Sequence, residues 1–197
     1  MKRSRHAPPA HQVRIIGGQW RRTQLPVLDR PGLRPTPDRV RETLFNWLGQ
    51  DLSGWHAVDA FAGTGALGFE AASRGAAEVL LIEQDAALVA GLRALKERLC
   101  ADTVRVQRGD GVAQLAACAP ASVDLVLLDP PFEAAPALFT SALRAAARAV
   151  QAQGFVYLEA PTEWSAQALA GVGLAPHRHL KAGAVHAHLL VRVPASA

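Results

Sequence analysis

An acidic residue and two prolines directly follow an apolar run in the segment SVDLVLLDPPFEAAP, residues 122–136. The apolar run predicts a buried strand, and Pro130 and Pro131 can end it, because proline has no N–H for the sheet ladder. A strand stop does not explain Asp129, because ligands of open α/β sheets bind beyond the carboxyl ends of the strands. Asp129 is therefore a candidate functional residue.

Three further acids stand at the ends of predicted strands. Asp59 precedes a loop with Gly63 and Gly65. Glu83 ends the run VLLIE, and Asp110 follows the next strand. Glycines let the backbone approach a ligand closely, and the helix that follows the loop offers free N–H groups at its N-terminus. Because Glu83 could accept hydrogen bonds from both ribose hydroxyls and Asp110 could meet an adenine edge, these acids predict a nucleoside-containing cofactor.

The elements that must position these residues alternate regularly after residue 50. Most of the apolar runs are continuous, which is typical of parallel strands buried on both faces. This pattern predicts a doubly wound α/β sheet. Strands are expected at 56–61, 78–83, 104–107, 123–129 and 155–160, and helices at 66–74, 86–99, 111–118, 136–150 and 162–170.

The last segment of the chain breaks this alternation. HRHLKAGAVHAHLLVRV predicts two strands joined near Ala182 and Gly183, and therefore an antiparallel hairpin. The hairpin brings the predicted sheet to seven strands, most of them parallel. We expect a disordered basic tail over residues 1–12, an RNA-binding extension over 13–50 and the α/β domain over 51–197.

The glycine loop alone leaves the type of cofactor open. Gly63, Gly65 and Gly68 also satisfy the G-x-G-x-x-G pattern of dinucleotide-binding proteins. Asp59 favours a different cofactor, because a carboxylate at this position would repel a pyrophosphate and could help to hold an ammonium group. An NAD-dependent oxidoreductase is the alternative, and it leaves DPPF and the basic extension without a role.

DAFAGTG, Glu83 and LLDPPF together resemble the class I S-adenosylmethionine-dependent methyltransferases. The resemblance implies a Rossmann-like sheet and S-adenosyl-L-methionine as the cofactor. It also implies a set of cofactor-binding residues, namely Asp59, Phe61, Gly63, Gly65, Glu83, Asp110 and Gly111.

DPPF is similar to the signature of methyltransferases that act on an amino nitrogen of a planar group, which implies catalytic roles for Asp129, Pro130, Pro131 and Phe132. The lone pair of such an amine is conjugated with its ring, so acceptors must hold the amine hydrogens and draw the nitrogen out of the plane. Asp129 and the Pro130 carbonyl can be those acceptors, because the two prolines fix the backbone. Phe132 offers a stacking face for a flipped base. Guanine N2, adenine N6 and cytosine N4 all remain possible targets.

The N-terminal extension narrows the resemblance. Residues 13–48, and RPTPDRVRETLFN above all, resemble the bacterial RsmD-type 16S rRNA guanine-N2 methyltransferases. That family methylates the nucleotide called guanine 966, which implies 16S rRNA in an assembled or partly assembled small ribosomal subunit as the partner. The family usually has Arg-Gly where this chain has Arg21 and Arg22.

Positive charge is concentrated in this extension. Residues 1–50 hold ten Lys and Arg against three acids, whereas the rest of the chain is mildly acidic. Such an arm favours a polyanionic partner, because each cation placed on a phosphate releases counterions. A non-catalytic RNA-binding protein would account for the arm but not for the predicted pocket. We expect a ribbon of short strands at 13–17 and 24–28, and RNA contacts from Arg14, Arg21, Arg22, Arg34, Arg39 and Arg41.

A helix is predicted to follow the ribbon. Thr36 is the expected N-cap, Pro37 the first helical residue, and Asp38 is favourable to the helix dipole. Arg39 and Arg41 are predicted to lie off the buried stripe of this helix. That stripe consists of Val40, Leu44, Trp47 and Leu48.

The remaining features favour a soluble cytoplasmic protein with no membrane partner. The opening residues are basic but lack an apolar signal region, and no apolar run reaches the about 18 residues of a membrane span. The two cysteines, Cys100 and Cys118, do not form a C-x-x-C pair. Nothing in this pattern calls for an obligate protein partner.

Four histidines would share one face of the C-terminal hairpin. No carboxylate joins them in the sequence pattern, and the methyl transfer implied above needs no metal, so no metal is predicted. Tyr157 is interpreted as a packing residue. The four histidines are His177, His179, His186 and His188.

Overall fold

The computed structural model describes residues 13–26 and 36–193. The predicted basic tail, residues 1–12, and Arg34 lie outside these residues. In chain order the elements are β1 (Val13–Arg14), β2 (Gln24–Leu25), α1 (Asp38–Trp47), β3 (His56–Asp59), α2 (Ala66–Ser73), β4 (Glu78–Glu83), α3 (Ala86–Leu99), β5 (Val104–Arg108), α4 (Gly111–Ala117), β6 (Val123–Leu128), α5 (Pro136–Ala149), β7 (Val150–Ala160), α6 (Ala166–Ala170), β8 (Leu174–Ala182) and β9 (Val185–Arg192).

Strands β3 to β9 form one sheet with the order β5-β4-β3-β6-β7-β9-β8. Strands β3 to β7 are parallel, and β9 lies antiparallel between β7 and β8. The strand order reverses between β3 and β6, which is the switch point where such sheets bind ligands. The predicted doubly wound, mostly parallel seven-stranded sheet is confirmed, together with its C-terminal hairpin.

Helices cover both faces of the sheet. Phe69 of α2 and Leu92 of α3 are buried on one face. Leu115 of α4 and Leu143 of α5 are buried on the other. Each central strand therefore contributes to two cores, which explains its continuous apolar sequence. Among the helices of the described residues, none has the length and apolar character needed to cross a membrane.

The N-terminal extension packs on the core that contains α2. β1 and β2 are antiparallel, with Val13 opposite Leu25, and each is shorter than the predicted strand. Residues 27 and 28 of the predicted ribbon lie outside the described part of the chain. Trp20 packs edge to face on Phe69, with the ring centroids 6.5 Å apart. The ribbon is thus attached to the helix that begins at the glycine loop.

Helix α1 begins at Asp38, later than predicted. Pro37 occupies the N-cap position, and no side chain caps the helix. The predictions of Thr36 as N-cap and Pro37 as first helical residue are therefore wrong. The Thr36 hydroxyl instead lies 3.5 Å from Asp129 Oδ2. The buried residues of the helix are Val40, Arg41, Leu44 and Phe45.

Arg41 is fully buried, so the prediction that its side chain lies off the buried face, free to contact RNA, is wrong. Its guanidinium pairs with Asp38 Oδ1 at 2.7 Å and with Glu70 Oε2 at 3.4 Å. Glu70 is buried as well and also pairs with Arg74, at 2.8 Å. A buried carboxylate requires such partners, because an unpaired charge in the interior is very costly. Arg41 is therefore buried because its guanidinium supplies one of the positive charges that pair with the Glu70 carboxylate.

Candidate active site

A cavity of about 490 Å³ opens at the carboxyl edge of the parallel strands. Its volume lies in the range of pockets that bind small molecules. The structure brings together in this cavity every candidate cofactor and catalytic residue except Gly65. Those that line it are Asp59, Phe61, Gly63, Glu83, Asp110, Gly111, Asp129, Pro130, Pro131 and Phe132.

Gly65 is not among the residues that line the cavity, and it packs against Phe69 and Leu92 instead. Its φ of +79° directly before α2 is a conformation that favours glycine. A Cβ atom here would lie 2.6 Å from the Phe69 ring and 2.7 Å from the Leu92 side chain. Gly65 is therefore needed for the turn and for the packing of α2, and it is not among the residues that line the cavity.

The Asp59 side chain lies against the first turn of α2. Asp59 Oδ2 accepts a hydrogen bond from the Gly68 N–H at 3.0 Å. In dinucleotide-binding proteins the N–H groups at this helix end receive a pyrophosphate. A pyrophosphate here would face the Asp59 carboxylate, so the arrangement disfavours the NAD-dependent alternative.

The second oxygen of Asp59 lacks a partner. Asp59 Oδ1 is buried, and no donor among the described residues forms a hydrogen bond with it. Burial raises the pKa of Asp59 to about 7, a rise that the hydrogen bond from Gly68 opposes. A cation against Oδ1 would supply the missing partner. The ammonium group of S-adenosylmethionine fits this requirement.

Backbone N–H groups hold the Glu83 carboxylate at the end of β4. Gly63 donates to Oε2 and Asp85 donates to Oε1, each at 2.9 Å. Each carboxylate oxygen retains capacity for a further hydrogen bond, which suits the two hydroxyls of a ribose. Asp110 differs, because it caps α4 by accepting from the Ala113 N–H at 2.8 Å. The helix alone accounts for an acid at that position.

Asp129 has an acidic neighbour that the sequence interpretation missed, Glu159. β6 and β7 pair with Leu128 opposite Leu158, so the next residue of each strand is Asp129 and Glu159 respectively. Both line the cavity. Tyr157 donates its hydroxyl to Glu159 Oε1 at 2.9 Å, so it is more than a packing residue. The signal was available, because FVYLEA also carries an acid at the end of a predicted strand.

Burial raises the pKa of both Asp129 and Glu159 above the ordinary values. The charge of Glu159 adds to the rise for Asp129, and the Thr36 hydroxyl opposes it. For Glu159 the hydroxyls of Thr36 and Tyr157 oppose the effect of burial. A raised pKa makes a carboxylate a better proton acceptor at neutral pH. The pair can accept hydrogen bonds from a bound group and take up a proton released there.

Comparisons with known proteins identify the family. The family model described as "Conserved hypothetical protein 95" matches residues 13–191. A protein of Buchnera aphidicola subsp. Acyrthosiphon pisum named "Ribosomal RNA small subunit methyltransferase D" is 30% identical over 148 residues, 75% of this chain and 78% of that protein. This chain belongs to the RsmD family. Its namesake in Escherichia coli (strain K12) is 48% identical over 132 residues, 67% of this chain and 66% of that relative, just under two thirds of its length.

The solved structures agree with this family. The Escherichia coli protein yhhF has a TM-score of 0.78 to this chain at 39% identity, covering 92% of this chain and 98% of that chain. A protein of Haemophilus influenzae, HI0767, has a TM-score of 0.73 at 29% identity, covering 92% and 99%. The chain has the class I methyltransferase fold.

The candidate RNA-binding arginines of this RsmD family member do not form one group. Arg41 is buried, as described above, and Arg34 lies outside the described residues. Arg14 is paired with Asp38 at 3.0 Å. The exposed members of the set are Arg14, Arg21, Arg22 and Arg39.

Arg22 has a backbone conformation that favours glycine. Its φ is +71°, in the left-handed region that costs most residues about 1 kcal/mol or more. This conformation would suit the glycine of the Arg-Gly pattern, and Arg22 adopts it at an energetic cost. The turn at Arg22 is formed despite this cost, and Arg22 adds a second exposed cation to the ribbon beside Arg21.

The C-terminal hairpin gathers three of the four histidines and adds a carboxylate that was not predicted. One ligand atom from each of Glu163, His179 and His186 lies within 4.8 Å of the others. The ring nitrogens of His179 and His186 are 3.1 Å apart, which is a hydrogen-bonding distance. His188 packs on the His179 ring at 4.7 Å, whereas His177 packs on Phe155 instead. The expectation that no carboxylate joins the cluster is wrong.

Proposed function

We propose that this protein transfers a methyl group from S-adenosyl-L-methionine to the exocyclic N2 of one guanine of 16S rRNA in the small ribosomal subunit. The observation that carries the proposal is a single cavity that holds two sets of acids, Asp59 and Glu83 in one and Asp129 and Glu159 in the other. The first set suits the cofactor and the second an amine. Relatives named ribosomal RNA small subunit methyltransferase D support rRNA as the substrate.

In this proposal the chain binds the cofactor mainly through two carboxylates. Asp59 Oδ1 accepts from the ammonium group, and Glu83 accepts from the ribose hydroxyls. Phe61, Asp110 and Gly111 line the part of the cavity proposed for adenine. When bound, S-adenosylmethionine supplies a methyl group on a positively charged sulfur, which a neutral amine can attack.

Asp129 and the Pro130 carbonyl hold the amine hydrogens, so that the lone pair of the nitrogen points at the methyl group. Bound S-adenosylmethionine would supply the methyl group to this nitrogen with loss of its S–C bond, whose electron pair would remain on the sulfur. The amine proton passes to Asp129, whose raised pKa suits it to receive the proton. Phe132 stacks on the base. Positioning dominates the rate enhancement, because the step needs no covalent enzyme intermediate.

The exposed arginines of the extension are proposed to bind the rRNA backbone. Such contacts recognise a fixed RNA shape, which favours an assembled or partly assembled small subunit over free RNA. The target is a base in an exposed loop, since flipping a paired base costs a few kcal/mol. A ribosomal substrate implies a cytoplasmic location.

Mass spectrometry of 16S rRNA from cells that lack this protein tests the substrate. We expect one N2-methylguanosine to be missing, and to be restored by purified protein, S-adenosylmethionine and small subunits. Loss of N6-methyladenosine or N4-methylcytidine instead would replace guanine by one of the other planar amines. Complete 16S methylation in those cells would overturn the proposal.

Asp129→Ala tests the role of the amine acceptor. The variant should bind S-adenosylmethionine within a few fold of the unchanged protein but transfer methyl groups at least about 100-fold more slowly, because it lacks an interaction that matures in the transition state. Calorimetry gives the affinity, and transfer of labelled methyl groups to small subunits gives the rate. Near-normal turnover would remove Asp129 from the mechanism.

A further inference from the structure

The proposed transfer gives Glu159 no step of its own, although Glu159 is one of the most buried acids among the described residues. Glu159 is only 2% exposed, yet it lines the cavity together with Asp129. The pairing of Leu128 with Leu158 places the two acids at the same level of adjacent parallel strands, which run about 4.8 Å apart. The cavity therefore presents two neighbouring carboxylates to whatever binds there.

No cation forms a salt bridge with Glu159 within the described residues. The charge of Arg41 lowers the pKa of Glu159, but that guanidinium is paired with Asp38 at 2.7 Å and Glu70 at 3.4 Å. The hydroxyl donors to Glu159 are Thr36 and Tyr157, the latter at 2.9 Å from Oε1. A buried carboxylate is costly unless donors surround it. A ligand with a further N–H donor would satisfy Glu159.

The three candidate bases differ in the atom that neighbours the target amine. In guanine the amine on C2 lies next to N1–H, so the base presents adjacent donors. In adenine the amine on C6 lies next to unprotonated N1, and in cytosine the amine on C4 lies next to unprotonated N3. Two adjacent acceptors match the edge of guanine. Against adenine or cytosine, the second carboxylate would face a lone pair, which is unfavourable in a buried site.

We propose that Glu159 accepts the N1–H of the target base while Asp129 accepts hydrogens of its 2-amino group, so that Glu159 selects guanine over adenine and cytosine. This inference rests on the proposed function, since it assumes a base amine beside Asp129. Tyr157 is then a positioning residue that fixes the orientation of the Glu159 carboxylate. The Thr36 hydroxyl, 3.5 Å from Asp129 Oδ2, helps to position the other carboxylate.

The experiment replaces the target guanine by 2-aminopurine in small subunits reconstituted with a ligated 16S rRNA. 2-Aminopurine keeps the amine on C2 but has an unprotonated N1 and no oxygen on C6, so it removes the donor assigned to Glu159 together with that oxygen, and the Glu159→Gln variant separates the two losses. For the unchanged protein we expect kcat/KM to be about 10- to 100-fold lower on 2-aminopurine than on guanine, as for a buried acceptor left without its donor.

Glu159→Gln makes the complementary change in the protein, because it replaces the acceptor by a side chain that can also donate. The amide NH₂ can donate to the unprotonated N1 of 2-aminopurine, so the preference for guanine should fall to within about threefold of unity or invert. Both substrates are compared on one enzyme preparation, so a partly unfolded fraction cancels from the ratio. Glu159→Asp keeps an acceptor and should retain the preference at a lower rate, which is informative if the glutamine variant does not fold.

Glu163→Gln is the matched control, because Glu163 lies four residues further on with a side chain that is 63% exposed. It should leave the preference of the unchanged protein intact. Equal turnover of guanine and 2-aminopurine by the unchanged protein would overturn the role of Glu159 and leave guanine methylation standing. So would an unaltered preference in Glu159→Gln. Absence of methylation on guanine itself would instead refute the proposed function.

Discussion

Asp59 is the residue whose ionisation decides how the cofactor side of the cavity behaves. Its carboxylate is fully enclosed, one oxygen is used by Gly68, and the other has no partner among the described residues. Burial raises the pKa of Asp59 to about 7. A bound ammonium group stabilises the ionised form, so binding must lower this pKa. In the proposed binding mode, binding of S-adenosylmethionine is therefore linked to the release of a proton from Asp59.

The sign of this linkage gives a pH prediction. Above pH 7 Asp59 is already ionised, and the affinity for S-adenosylmethionine should be independent of pH. Below pH 7 binding must first remove a proton, so the affinity should fall by up to about tenfold per pH unit. Calorimetric titrations between pH 5.5 and 8 measure this slope.

Two variants isolate the contribution of Asp59. Asp59→Asn should bind more weakly at pH 8 and show little change between pH 5.5 and 7, because the amide does not titrate. Asp51→Asn removes an acid of the exposed surface and should behave like the unchanged protein. If Asp59→Asn keeps the slope of the unchanged protein, another group binds the ammonium.

At the scale of elements, the sequence predicts contacts within a segment better than contacts between segments. Strand β4 and helix α3 have the predicted bounds, Glu78–Glu83 and Ala86–Leu99, because apolar runs and helical periodicity are local. Arg41 was misplaced because its partner Glu70 is 29 residues away. Periodicity indicates which residues of a helix share a face, but not that a buried carboxylate faces one of them.

Glu70 connects the N-terminal ribbon and α1 to the helix that covers the sheet. Its carboxylate accepts from the backbone N–H groups of Ile16 and Gly17 at 2.8 and 2.7 Å, across 54 and 53 residues of sequence. It also pairs with Arg41 and Arg74. The ribbon, α1 and α2 thus meet at one buried side chain. The i,i+4 spacing links Glu70 to Arg74 in the sequence, but no spacing rule links it to the other three partners.

Glu70→Ala should lower the free energy of unfolding by about 3 to 5 kcal/mol, because it removes the carboxylate that pairs with buried Arg74 and one of the two that pair with buried Arg41. Urea denaturation followed by circular dichroism measures the change. Glu78→Ala is the control, because its pair with Arg105, at 3.0 Å, is exposed on both sides and should contribute less than about 1 kcal/mol. Equal losses in the two variants would mean that the Glu70 network does not stabilise the fold.

Across the whole molecule, the basic extension and the cavity form one continuous assembly. Thr36 precedes α1 and lies against Asp129 in the cavity wall. Arg41 of the same helix reaches Glu70, and α2 begins directly after the cofactor loop. A ribbon fixed in this way can hold RNA at a defined distance from the cavity. If the ribbon binds RNA as proposed, its charge has a positional role as well as an attractive one.

The exposed pair Arg21 and Arg22 on the ribbon tests whether that charge binds RNA. Replacing both by Ala should weaken binding to small subunits and leave the affinity for S-adenosylmethionine unchanged, because neither residue lines the cavity. The slope of log affinity against log salt concentration should become shallower by about 1 to 2, since each phosphate contact contributes about 0.7 to 0.9.

A matched double variant separates local contacts from overall charge. Arg93→Ala with Arg144→Ala removes the same charge from exposed positions on α3 and α5, outside the ribbon segment. Long-range attraction responds to the net charge and would weaken equally in both double variants, whereas phosphate contacts are lost only with Arg21 and Arg22. Titrations at several salt concentrations therefore distinguish the two cases. An unchanged slope in the Arg21 and Arg22 variant, or the same decrease in both, would show that the ribbon does not contact the rRNA backbone through these arginines.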